Sequence, residues 1–213
     1  MPNHIQNILV IEGHESQIQK LLSRIKGAET VIDFNNIIPM PMELRGTSSP
    51  ARIVSENEYT GKENHPGIGR GITEKMSKDF IKRFGHNDWY GWANANWGTK
   101  WGAYDTSVDE AVQVEGKNKK SVTIRFQTAW SSGVHVINYL AHQFPEVDFF
   151  LSYADEDCGS NTGQYWWNEG KLSNENLPKN GSNEAMELYF SCWDNDREGW
   201  EKIDGEWKHT AEW

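Results

Sequence analysis

Apolar and polar residues alternate from His4 to Glu12, with Ile5, Asn7, Leu9 and Ile11 on one side and Gln6, Ile8 and Val10 on the other. That period of two predicts a strand buried on one face and partly on the other, ended by Gly13. The period then changes. Ile18, Leu21, Leu22 and Ile25 fall at helical spacing, Ser16 followed by Gln19 has the form of a capping box, and Gly27 supplies a stop, so a helix is predicted over 16–26. Val31 to Arg45 opens apolar but meets Pro39 and Pro41, which keep their predecessors out of the helical region; an extended ribbon over the core is expected. Gly46 to Gly71 is rich in Ser, Pro, Asn and Gly, shows no hydrophobic period, and reads as loop. Ile72, Met76, Phe80 and Phe84 recur every four residues, with Lys75, Lys78, Lys82 and Arg83 on the remaining faces, which predicts a second helix.

After an aromatic stretch, Val108 to Glu115 and Ser121 to Thr128 are strand-like runs joined by GKNKK, with Val122, Ile124 and Phe126 facing one way as in an antiparallel hairpin. Ile137, Leu140, Ala141 and Phe144 mark a helix over 133–144 that stops before Pro145, and a strand follows over 147–154. Further on, Gln164 to Trp167 reads as a strand, and Ala185, Met186, Tyr189, Phe190 and Trp193 as a helix. Ile203 to Trp207 reads as a tight hairpin turn.

Strand, helix, strand, strand, helix, strand is the order of the α+β ferredoxin-like unit (βαββαβ), four antiparallel strands with two helices on one face. The core then spans residues 1–159 and carries a long insertion after the first helix, at about 28–105. Residues 160–213 form a C-terminal extension packed on the core, because their apolar side chains are too few and too aromatic to close a core of their own.

Composition narrows the function classes. The formal charge of −10 and pI near 5.2 repel a phosphate backbone over most of the surface, so broad nucleic-acid binding is disfavoured. A mean hydropathy of −0.76 does not imply disorder, since 11 Trp, 7 Tyr and 8 Phe supply large buried areas. Cys158 and Cys192, far apart in the chain, are neither a disulfide framework nor a zinc set and suit a reducing cytoplasm. The start, MPNHIQNILVIEG, lacks the pattern of a signal peptide, and no apolar run reaches membrane-spanning length, so a cytoplasmic protein without membrane contact is expected.

The richest chemistry lies between Trp89 and Asp105. Trp89, Tyr90, Trp92, Trp97, Trp101 and Tyr104 are interleaved with Asn94, Asn96, Thr99 and Lys100. Rings stack on a flat ligand and a few polar groups orient it, as a pocket requires; a core-capping loop is the competing reading. Thr128, Trp130, Ser131 and Ser132 lie between a strand end and a helix start, where free amides and the helix dipole favour an anion. Ser131 or Ser132 acting only as a helix cap is the plainer alternative. Both tryptophan motifs flank the hairpin, one entering and one leaving, so Trp97, Lys100 and Trp130 are expected to line one pocket. Lys100 is the only cation inside either motif, and cation–π packing is its structural alternative.

Other candidates are weaker. Asp155, Glu156 and Asp157 follow a strand and suit metal oxygens or plain solvation. Asp194, Asp196, Glu198 and Gly199 imitate the opening of a calcium loop, but the twelfth position is Gly205 where a Glu is required. His4, beside Asn3 and Asn7, would act as acid or base if it met Lys100 in space. His135 and His142 lack zinc spacing, and GIGRG (Gly67 to Gly71) lacks the Lys-Ser/Thr of a phosphate loop. No metal or cofactor is expected.

MPNHIQN (Met1 to Asn7), FNNIIPMP (Phe34 to Pro41), NWGTKWGAYD (Asn96 to Asp105), TAWSS (Thr128 to Ser132) and YADED (Tyr153 to Asp157) together resemble the ferredoxin-like domain family of YubB-like proteins. The resemblance, spread from residue 1 to about 160, implies a ferredoxin-like fold and an accessory gene of a plasmid, phage or genomic island. It implies no established reaction. Where the family pattern reads TAWSPP, this chain has Ser132-Gly133.

Three functions are expected, in this order. The first is a binding protein for a nucleotide-like or other phosphorylated small molecule, with Asn96, Trp97, Thr99, Lys100, Trp101, Tyr104, Thr128, Trp130, Ser131 and His4 as its ligand-binding residues, serving in a mobile element to sequester a host defence signal. The second is an acidic interaction module that mimics nucleic acid and blocks a host defence protein, a nuclease or a DNA-binding protein. The third is a metal-assisted hydrolase using Asp155, Asp157 and His4.

Overall fold

The computed structural model describes residues 2–62, 67–115, 118–194, 197 and 199–210. In chain order the elements are β1 (His4–Gly13), α1 (Glu15–Ile25), α2 (Phe34–Ile37), β2 (Ile53–Val54), β3 (Ile72–Thr73), α3 (Glu74–Phe84), α4 (Trp89–Asn96), β4 (Tyr104–Val108), β5 (Val112–Gln113), β6 (Lys120–Ala129), α5 (Val134–Gln143), β7 (Asp148–Asp155), β8 (Gly163–Asn168), β9 (Lys171–Asn176), α6 (Asn183–Cys192), β10 (Trp200–Ile203) and β11 (Glu206–His209).

An antiparallel sheet in the order β4-β6-β1-β7-β8-β9, with β5 also paired to β6, organises this mixed α/β chain. The alternation in β1 decides which side is wet. Leu9 pairs with Ile124 of β6 and Leu151 of β7, and these three buried side chains form one row across the sheet. Leu21 and Ile25 of α1 and Ile137 and Leu140 of α5 close over the same core. Each such side chain contributes about 1.5–3 kcal/mol by leaving water, so the two helices are held by burial rather than by helix propensity.

The segments between α1 and β4 share that core. Phe34, Ile37, Leu44, Ile72, Phe80, Trp92 and Trp97 are buried in one cluster with the sheet residues. On the opposite face, Ile8 pairs with Arg125 and Ser152, and α6 lies over this row with Cys192 Sγ 3.5 Å from Ser152 Oγ. The Trp193 indole N–H then donates to the Asp155 carbonyl at 2.9 Å, fastening the end of α6 to the end of β7.

Several expectations change in detail. The first helix begins at Glu15 with His14 as its N-cap and no capping side chain; Ser16 sits 3.3 Å from His14 Nδ1 instead of closing a box with Gln19. The ribbon over 31–45 contains α2, because the Asp33 carboxylate accepts from Asn35 N–H at 2.8 Å and starts a turn before the prolines stop it. The loop over 46–71 carries β2, which pairs in parallel with β3, and a Thr47–Arg70 bridge. Ile72 belongs to β3; the helix proper starts after Thr73, whose side chain accepts from Met76 N–H. The strand expected over 108–115 starts earlier, as β4 from Tyr104 to Val108; Asp109 N–H still donates to the Thr123 carbonyl at 2.9 Å, and after a break only Val112 and Gln113 pair again with β6, as β5. β9 extends the sheet beyond β8, turning at Glu169 and Gly170, both with positive φ.

Candidate ligand-binding cleft

The aromatic stretch starts as a helix. Asp88 accepts from Gly91 N–H at 2.7 Å and caps α4, which buries Trp92 and Ala93 and leaves Trp89 and Tyr90 half-exposed. Trp97 ends the helix inside the core, its indole N–H donating to the Ile38 carbonyl at 2.9 Å and its ring edge-on to Trp92 and Phe34. Asn96 donates back to the Trp92 carbonyl at 2.9 Å. Gly98 then adopts φ +75 beneath the His135 ring, a conformation and a close approach that favour glycine, and the chain reverses direction.

This reversal carries Lys100 to the end of β6. Lys100 N–H reaches the Ala129 carbonyl at 3.4 Å, and the Ser131 hydroxyl donates to the Gly98 carbonyl at 2.8 Å. Buried Thr99 donates to the Trp101 carbonyl at 2.6 Å and holds the turn. The Lys100 ammonium then lies 4.6 Å from the centre of the Trp130 ring and 4.7 Å from that of Trp101. Among the described residues no carboxylate oxygen lies within 4.0 Å of it, and the two indoles hold it by cation–π contact. Trp130 is 43% exposed, and Tyr90 stands edge-on to its ring at 6.1 Å. Lys100 and Trp130, with Ser49, Pro50, Asp88, Trp89, Tyr90 and Gly91, line a cleft of about 430 Å³, the size range of small-molecule sites.

A buried polar network fixes this wall. Trp130 has φ +70, and its N–H donates to the Asn3 carbonyl at 3.0 Å. The Asn161 amide donates to the Trp130 carbonyl and to Asp155 Oδ2, each at 3.2 Å, while Asn3 and the Asp157 N–H donate to Asp155 Oδ1, each at 3.0 Å. Asp155 thus orients the turn and is itself buried. Asn7, fully buried, donates to Thr128 Oγ1 at 2.9 Å and accepts from Gly133 N–H at 3.4 Å; Thr128 donates to the Ser131 carbonyl at 2.7 Å. The amide of Gly133, just before α5, is therefore engaged, and Gly133 rather than Ser131 or Ser132 is the N-cap of α5, with no capping side chain. A Cβ on Gly133 would meet the Phe34 ring at 2.8 Å, which explains physically why a residue without a side chain suits this turn.

Tyr104 continues the aromatic run. Its ring is edge-on to Trp101 and to His4, its oxygen lies 2.6 Å from His4 Nδ1, and its hydroxyl donates to the Thr128 carbonyl at 3.3 Å. Burial raises the phenol's pKa, with the charges of Glu156 and Asp105 adding to the effect, so it stays a neutral donor. His4, Lys100 and Asp155 each have other partners and are not joined as a catalytic set.

Glu156 and Asp157 are exposed, and among the described residues no group of three or more His, Cys, Asp or Glu comes together to hold a metal. Asp196 and Glu198 lie outside the described residues; Asp194 stands 3.6 Å from Arg125, and Gly205 turns the β10–β11 hairpin with φ +84. His135 and His142 are exposed on α5, and GIGRG is stitched to Gly46 and Ser48 through the Arg70 backbone. Among the described residues no helix is long and apolar enough to cross a membrane.

Ser49, Pro50 and Asp88 in the lining, and Asn161 behind it, escape sequence reasoning. The Asp88–Gly91 spacing before an aromatic helix face is a readable cap signal, but nothing local marks Ser49, Pro50 or Asn161.

The fold and cleft describe a mixed α/β protein with an antiparallel sheet and, at one end of it, an aromatic cleft lined by one lysine and one aspartate. Residues 96–198, slightly under half of the chain, match the family described as the ferredoxin-like domain in Api92-like protein. The crystal structure of a protein api92 from Yersinia pseudotuberculosis is similar with a TM-score of 0.46 and 9% identity, over 84% of this chain and 99% of that one. No curated protein matches the sequence.

Proposed function

We propose that this chain binds an anionic, flat small molecule, nucleotide-like or otherwise phosphorylated, in the cleft beside Lys100. The observation that carries the proposal is the Lys100 ammonium held between two indoles, one of them 43% exposed on a cleft wall. Packing alone would satisfy a lysine over rings, but a partly exposed tryptophan beside a cation with no described carboxylate within 4.0 Å is suited to a base and its phosphate. The separate engagement of His4, Lys100 and Asp155 gives the hydrolase alternative no comparable support.

In this reading the cleft sits on a ferredoxin-like βαββαβ core over residues 1–159, with an insertion at about 28–105 and an extension over 160–213. In a mobile element of the YubB-like kind, such binding would sequester a nucleotide signal of host defence. The test is thermal unfolding against nucleotides, where a ligand at about 100 times its Kd adds roughly 2.7 kcal/mol. Lys100→Met keeps most of the stem's packing and removes the charge, so it should leave unfolding of the free protein nearly unchanged and abolish the ligand-dependent shift. A well-folded Lys100→Met protein that still responds in full sinks the proposal.

A further inference from the structure

The side of the sheet that carries α6 is covered over only part of its length. α6 lies over the row of Ile8 and Ser152, whereas the next row, Thr123, Val10, Phe150 and Trp166, is half-buried on all four strands. There Val10, Glu12, Asp148, Phe150, Trp166 and Asn168 line a hollow of about 370 Å³, within the size range of small-molecule sites. It shares no lining residue with the cleft beside Lys100. Phe150 and Trp166, their ring centres 5.0 Å apart, make its apolar wall.

The other wall is acidic, and its charges are not balanced. Glu12 and Asp148 are directly opposite in the β1–β7 register, an arrangement in which like charges repel. Asp148 is compensated, since the Lys119 ammonium lies 2.6 Å from Oδ2 and the Asn168 amide donates to Oδ1 at 3.1 Å. Glu12 is not. It is half-buried, and among the described residues it makes no hydrogen bond or ion pair. Two carboxylates and one ammonium leave the hollow with a single uncompensated negative charge, set beside two rings. Among the described residues no group of three or more His, Cys, Asp or Glu gathers there to hold a metal ion, so an organic cation fits the lining better. We propose that this hollow binds a monovalent amine, its ammonium paired with Glu12 and its apolar body against Phe150 and Trp166. The chain's net charge of −10 favours the approach of such a cation.

The experiment is titration of the full chain, near neutral pH and at one fixed ionic strength, followed by amide NMR shifts. The probes are phenethylammonium, the neutral phenethyl alcohol, phenylpropionate and methylammonium. Phenethylammonium should bind tenfold or more tightly than each of the others and shift the amides of Glu12, Phe150 and Trp166. Glu12→Gln removes the charge with little change of shape and relieves the repulsion from Asp148, so it should melt no lower than the wild type. It should lose tenfold or more in affinity for the amine and little for the alcohol. Trp166→Leu should weaken both alike. Equal affinity of the wild type for amine and alcohol overturns the proposal, as does undiminished amine affinity in Glu12→Gln. Methylammonium binding as tightly as phenethylammonium overturns the role of the rings. Shifts confined to the lining of the Lys100 cleft, or no binding by any probe, overturn the site and leave the nucleotide reading of that cleft untouched. The comparison of wild-type affinities does not depend on either variant folding.

Discussion

Asn161 holds Trp130 by its main chain: the Asn161 amide donates to the Trp130 carbonyl at 3.2 Å and, with its other proton, to Asp155 at 3.2 Å. The exposed indole is thus aimed from a buried carboxylate one residue removed. Asn161 itself has φ +43, a conformation Asn tolerates better than most residues. Asn161→Ala should therefore lose about 2 kcal/mol in urea unfolding, from two hydrogen bonds and the left-handed backbone together. Asn161→Gly should recover only the backbone share, about 1 kcal/mol, and both variants should make tryptophan fluorescence more accessible to acrylamide. Unaltered quenching in both would show that Trp130 is held without this amide.

At the opposite side of the same turn, Gly133 leaves no space between the start of α5 and the Phe34 ring. Phe34 is fully buried against Trp97 and Phe126, so it has nowhere inexpensive to go. Gly133→Ala should cost about 1–3 kcal/mol through overpacking, and at an N-cap alanine is also the poorer residue. A stabilised Gly133→Ala protein would show that the ring shifts freely.

The Cys158 thiol is pushed up to about 11 by burial. Its alkylation by iodoacetamide at pH 8 should run about tenfold slower than that of a small thiol of ordinary pKa, since far less thiolate is present. The rate should keep climbing as pH rises toward 11. A plateau near pH 9, followed by mass spectrometry of the modified peptide, contradicts the buried environment.

Glu187 anchors the β10–β11 hairpin to α6, accepting from Lys202 at 3.0 Å, Arg197 at 2.9 Å and the Trp207 indole at 3.1 Å. Its carboxyl is held below the usual range, chiefly by the Lys202 hydrogen bond, with Arg197 and Trp207 adding to it against the effect of burial. A depressed folded-state pKa means that the stabilisation is present above the unfolded value of about 4.3 and is lost as pH falls through the folded one. The side chain is 39% exposed, so solvent screens the effect and it should be local. Hydrogen-exchange protection factors of Trp200 to His209, corrected for the intrinsic rate at each pH, should fall below about pH 4 in the native protein, and this acid dependence should be weaker in Glu187→Gln.

The sheet and its two covering helices are readable because their apolar periods, two and near 3.6, persist over whole elements such as β1 and α1. α4 is harder to read, as Gly91, Asn94 and Asn96 dilute the face made by Trp89, Trp92 and Ala93. β9 is nearly all exposed, so it carries no burial pattern to read. The meeting of Lys100 with Trp130 follows from antiparallel pairing of the strands they flank. Trp97 goes elsewhere, because its indole N–H finds the Ile38 carbonyl inside the core, and a sequence holds no local sign of that partner.

The central position of β1 also sets an order of events in time. Leu9 can complete its row only after both Ile124 and Leu151 have been synthesised, so β1, made before either partner, waits for both before it is enclosed. Until then Ile5, Leu9 and Ile11 present a sticky, unpaired segment to whatever surrounds the nascent chain. Pairings of such long sequence separation slow folding toward the millisecond-to-second range. In refolding followed by pulsed hydrogen exchange, the amides of β1 should gain protection together with those of β6 and β7; earlier protection of β1 would place the rate-limiting step elsewhere.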